Sequence, residues 1–161
     1  MKLFWKYWLI FFLILALSVS AVACRQAETG TGVLLGEEMA AIDGLPSGQI
    51  YRSDASEGEA AYFSPQMMET MYGEGAAERY FSLLEEYAIY LSSRESPYEI
   101  AVLRCYARSD TDRIAEMCLA RVEHLRIGLA GTPYRAHADA ATVRVEGRTV
   151  ILSLIPVSAS P

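Results

Sequence analysis

Lysine is almost missing from this chain. Only Lys2 and Lys6 are present, and every other basic side chain is an arginine. Beyond the first 23 residues, 12 arginines face 20 acidic residues, a net of −8. Binding to nucleic acid needs a basic stripe that neutralises phosphates, so this balance argues against a nucleic-acid partner. It argues equally against a domain that lies flat on anionic lipid. Histidine is scarce too: His124 and His137 stand alone, without the HxxxH or HExxH spacing of a zinc site, and no metal site is expected. No CxxC pair is present, no serine sits in GxSxG or SxxK, and no glycine-rich phosphate cradle occurs. The acidic loop Asp54–Glu59 lacks the ligand spacing of an EF-hand. Glu37 with Glu38 and Glu85 with Glu86 are adjacent in sequence, and neighbours on a strand point to opposite faces, which suits them poorly to paired acid–base work. No cofactor is implied, and the expectation is a protein that is not an enzyme.

The strongest signal lies at the start. Lys2 and Lys6 precede an unbroken apolar run from Tyr7 to Leu17, followed by small residues from Ser18 to Ala23. This is the order of an export signal, with its positive end retained inside the cell. Ala21-Val22-Ala23-Cys24 resembles a bacterial lipobox, in which a cysteine becomes lipid-modified and then the new N-terminus. An uncleaved anchor competes with it, since Tyr7–Cys24 spans 18 residues, close to the roughly 17–20 that a membrane helix needs. Either way the remainder is expected at the cell membrane, lipid-anchored or single-span, on its extracytoplasmic side.

Three regions follow from composition: 1–23 as signal peptide or anchor, 24–44 as a flexible tether, and 45–157 as one α+β domain. The tether is Gly-, Glu-, Thr- and Ala-rich and lacks strand alternation or a long helical stripe. Within the domain, Ile50–Arg52 reads as an edge strand. Ser64-Pro65 opens a helix that carries Met67, Met68, Met71 and Tyr72 to a stop at Gly73, and a second short helical stretch runs from Ala76 to Leu84. Tyr87, Ile89 and Leu91 alternate, and Tyr98–Ala107 is apolar on both faces, the pattern of a central strand covered by helices on one side. Thr111–Ile127, capped by Ser109 or Asp110, is the strongest helix, with Ile114, Ala115, Cys118, Leu119, Val122 and Leu125 as its buried stripe and Arg121 on its wet side. A last hairpin turns at Gly147-Arg148, with Val143 and Val145 inward. The expected fold is an antiparallel sheet backed by helices.

The pieces Met71-Tyr72-Gly73, Tyr98-Glu99-Ile100-Ala101-Val102-Leu103-Arg104, Arg121 and Val145-Glu146-Gly147-Arg148-Thr149-Val150 resemble, in order and spacing, a family named domain of unknown function 4358. Its members are mostly small lipoproteins or single-anchor proteins of Gram-positive anaerobes. The resemblance spans about Leu45 to Val157. It implies fold and location; the family carries no assigned activity or functional residues.

Two sets of side chains are candidates for a role. Cys105 and Cys118 form either a disulfide, which an oxidising location permits, or two buried thiols. Tyr87, Tyr90, Tyr98 and Tyr106, on or beside the first hairpin, are a candidate contact surface, because tyrosine buries a ring while keeping a polar tip wet. An anchored acidic domain without recognisable chemistry points to protein–protein interaction in the cell envelope. The alternative is a binding module for a peptide or cell-wall fragment. The location is checked by the intact mass of the membrane-extracted protein. Loss of residues 1–23 with a lipid on Cys24 is expected, and a retained Met1 would overturn the lipoprotein assignment.

Overall fold

The structure, a computed structural model, describes residues 29–93 and 96–156. The leader, Cys24, Arg94-Glu95 of the first hairpin turn and the last five residues lie outside the described residues. The fold is α+β, built on one five-stranded antiparallel sheet. Its strands are β1 (Gly48–Arg52), β2 (Leu84–Ser92), β3 (Glu99–Cys105), β4 (Thr142–Glu146) and β5 (Thr149–Leu154), in spatial order β1-β2-β3-β5-β4. The helices are α1 (Thr31–Ala40), α2 (Pro65–Tyr72), α3 (Ala76–Arg79), α4 (Thr111–Gly128) and α5 (Arg135–Asp139).

The central place of β3 follows from its sequence, since all seven of its residues are buried. Side chains alternate between faces along a strand. Ala101, Leu103 and Cys105 therefore join Ile89, Val150 and Leu152 on one face, under α2 and α4. Ile100 and Val102 join Ala88, Tyr90 and Ile151 on the other. Phe63 is the hub of the first face, with ring centroids 5.2–6.4 Å from Tyr51, Tyr72, Phe81 and Tyr87.

The second face corrects the expectation of helices on one side. It is covered by α1, which occupies the stretch expected to be a flexible tether. Composition hides this helix, because Gly32 and Gly36 lower its intrinsic propensity. It is held by tertiary contacts instead. Leu35 is buried among Tyr90, Ile100 and Val102, and Glu86 Oε2 accepts a bond from the Thr31 amide at 3.2 Å. That carboxylate satisfies one orphan donor of the first turn and complements the helix dipole. Arg144 pairs with Glu38 on the same helix.

The helix from Ser64 behaves as read: the Ser64 hydroxyl accepts from the Met67 amide at 3.2 Å with Pro65 in the first turn. In α4 the register of burial differs in detail. Met117 is buried and Leu119 is 56% exposed, so the stripe runs through Thr111, Ile114, Met117, Cys118 and Val122. No side chain caps this helix; a short 3-10 turn at Arg108–Asp110 leads into it. The break after Gly128 contains α5, which the sequence reading omits. Gly147 turns the β4–β5 hairpin with a φ of 62°, the left-handed value that a tight two-residue loop requires at its first position.

Replacing Leu35 with Ala tests the docking of α1. A loss of about 2–4 kcal/mol in urea unfolding of the full chain is expected for a buried leucine. An unchanged midpoint would restore the tether.

Candidate functional site

The buried polar residues of a sheet core mark where a fold departs from simple packing, and Glu99 is the foremost. It sits at the first position of β3 with 1% of its surface exposed. An unpaired carboxylate in such a place would cost far more than the strand gains, so partners must converge on it. They come from two helices. The Tyr72 hydroxyl, at the last residue of α2, donates to Glu99 Oε1 at 2.7 Å. Arg121 Nε, on α4, donates to Oε2 at 3.0 Å. Burial, with the Glu99 charge adding to it, pushes the Tyr72 phenol well above its ordinary value, so it stays a donor. The long side chain of Arg121 is only 14% exposed. Its periodicity is that of the wet side of α4, and the charge of Glu99 draws it inward.

Beside this cluster a groove of about 230 Å³ runs between α2 and α4, lined by Thr70, Met71, Tyr72, Gly73, Ala120, Arg121 and His124. Three stretches distant in sequence meet here: Met71–Gly73, the start of β3 and Arg121. The signal that could have located the cluster is Glu99 itself, a lone acid in an apolar run read as a central strand.

The four tyrosines do not form the expected contact surface. Tyr90 is 1% exposed and lies on the α1 face, its hydroxyl donating to the Pro46 carbonyl. A side chain at Gly48 would strike the Tyr90 ring, and the glycine lets the edge strand close over it. Tyr98 is buried on the same face, with His137 edge-on to its ring at 5.4 Å. Tyr87 packs half-buried on the opposite face. Only Tyr106 is exposed, at 63%. Alternation along β2 splits Tyr87 from Tyr90, and the core needs both rings.

In the structure Cys105 and Cys118 are buried free thiols, the second of the two alternatives. Burial pushes Cys105 up to about 11, with Asp110 adding and Arg148 opposing, and raises Cys118 further, with Glu99 adding. Both thiols are thereby kept protonated and poorly nucleophilic. The adjacent carboxylates diverge as expected: Glu85 pairs with Arg148 at 2.7 Å, while Glu86 pairs with Arg104 at 3.0 Å. Among the described residues no group of three His, Cys, Asp or Glu side chains could hold a metal ion, and no helix is long and apolar enough to cross a membrane. No family model, curated protein or solved structure matches the chain.

The two thiols give a pH prediction with a definite sign. Their folded values lie above the ordinary 9.0, so their contribution to stability is complete below that value. It falls as pH rises above about 9, through a window that closes near 11 for Cys105 and extends higher for Cys118. Urea unfolding under reducing conditions should therefore show stability declining above about pH 9, and Cys118→Ala should flatten the decline. An unchanged slope in that variant would refute the assignment.

Proposed function

We propose that this protein is a non-enzymatic domain held at the extracytoplasmic face of the membrane through Cys24, where it binds an extended segment of a second envelope protein along β4. The leader supports the location, and the resemblance to the domain of unknown function 4358 family agrees with it. The observation that carries the binding is the outer edge of β4.

This strand closes one side of the sheet and pairs only with β5. In a two-residue hairpin the flanking pair, Glu146 and Thr149, exchanges hydrogen bonds, and hydrogen-bonded and non-bonded pairs then alternate. Val143 and Val145 consequently point their amides and carbonyls outward. Val145, expected inward with Val143, instead lies beyond the edge of the core and adds an apolar side chain that is 46% exposed. An incoming strand would gain four main-chain bonds and an apolar contact, the recurring mode of strand addition. β1, the opposite edge, offers less. Its Arg52 amide already donates to Ala61, and the Gln49 side chain covers the Ile50 carbonyl.

A second copy of the chain is the less suitable occupant. Antiparallel pairing of β4 with itself relates the copies by a two-fold axis normal to the sheet. The chain enters at the Glu86–Arg104 end of the sheet, where Arg104 donates to the Thr29 carbonyl. Two copies so related would turn these ends in opposite directions, whereas copies anchored in one membrane share a direction.

The test is crosslinking in cells followed by mass spectrometry, with Val145→Pro and Val145→Lys as companions. Proline removes an outward amide without touching the ladder, and lysine is a common guard of natural edges. A partner crosslinked at β4 in the wild type and lost in both variants, with thermal midpoints unchanged, is the expected result. A partner retained by both would refute the edge as the binding surface.

A further inference from the structure

The Tyr72–Glu99–Arg121 cluster is more elaborate than stability requires. Buried ion pairs seldom stabilise a fold more than apolar side chains of similar volume. What the cluster does achieve is orientation. Glu99 uses one oxygen on Tyr72 and the other on Arg121 Nε, which fixes the plane of the guanidinium. The two terminal amino groups of Arg121 have no hydrogen-bond partner among the described residues, and Arg121 lines the groove between α2 and α4. A fixed guanidinium fork with both amino groups free matches the geometry of a carboxylate.

The opposite wall of the groove has the complementary chemistry. It is the last turn of α2, Thr70 to Tyr72. The final carbonyls of a helix lack partners within it. The Glu69 carbonyl is taken by the Gly73 amide, while those of Thr70, Met71 and Tyr72 accept no bond among the described residues. These carbonyls disfavour a bare anion and favour a ligand that brings an N–H beside its negative group. His124, exposed one turn beyond Arg121, adds a ring nitrogen at the rim.

We infer that the groove between α2 and α4 binds the C-terminal carboxylate of a peptide chain, with Arg121 taking the carboxylate and the last carbonyls of α2 taking the adjoining amide N–H. A volume of about 230 Å³ admits one or two small residues and not a folded partner. The site is independent of the β4 edge, which contributes none of its lining. It lies at the Glu99 end of β3, whereas the chain enters at the Arg104 end.

The experiment follows the Arg121 Nε–H resonance of the full-length, isotope-labelled protein in micelles, assigned by its loss in Arg121→Lys. The probes are tri-alanine with a free carboxylate, the same peptide as its C-terminal amide, and acetate. Tri-alanine should shift the resonance saturably, the amide should not, and acetate should bind more weakly. Ala120→Glu, on the exposed lining of the groove, should weaken tri-alanine about tenfold or more while leaving the Glu99 pairing and the unfolding midpoint intact. Equal shifts from acid and amide would overturn the proposal, as would no saturable shift by about 50 mM peptide. Acetate binding as tightly as tri-alanine would overturn the peptide terminus in favour of a free small carboxylate.

Discussion

Glu99 sets a demand that three separate elements must meet together. A carboxylate with 1% exposure at the head of the central strand is tolerable only while Tyr72 and Arg121 both reach it. Removal of one partner of a buried pair typically costs about 3–5 kcal/mol, so this contact is made completely or strongly opposes folding. The start of β3, the end of α2 and the middle of α4 are therefore fixed relative to one another more tightly than apolar packing alone would fix them. Apolar contacts tolerate small slides; a hydrogen-bonded carboxylate does not.

Much of the sheet was legible because its periodicities are strong. Alternation in β2, the doubly apolar β3 and the Gly147-Arg148 turn each leave a local mark, and the strands formed close to where these marks lie. What was illegible depended on contacts distant in sequence. α1 has weak propensity of its own and is held by Leu35 against β2 and β3, some fifty to seventy residues away. Arg121 satisfies the periodicity of a solvent-facing position, and only the distant Glu99 explains its burial. The tyrosines are the opposite case: they lie close in sequence, yet alternation assigns Tyr87 and Tyr90 to different faces. Phe63, the hub of the larger core, lies in a loop before α2, where no periodic pattern announces it.

The two faces of the sheet divide the labour. The α2–α4 face holds the larger core, both thiols and the Glu99 cluster, and presents the groove. The α1 face is thinner and is sealed by Tyr90 and Tyr98 under a helix that enters directly from the N-terminal side. With both faces covered, strand edges are what the sheet has left to offer a partner. Of the two, β4 keeps its outward groups open.

The docking of α1 also governs how far the domain can travel. Gly30, at the cap of α1, is only six residues beyond Cys24. Fully extended, six residues reach about 20 Å. With a lipid on Cys24, as proposed above, that reach would be the upper bound on the distance between the anchor and the first turn of α1. A leash of twenty residues would have let the groove sample a wide hemisphere. Folding ten of those residues into α1 shortens that reach, and on the proposed anchoring it would confine the domain to a shallow layer above the membrane.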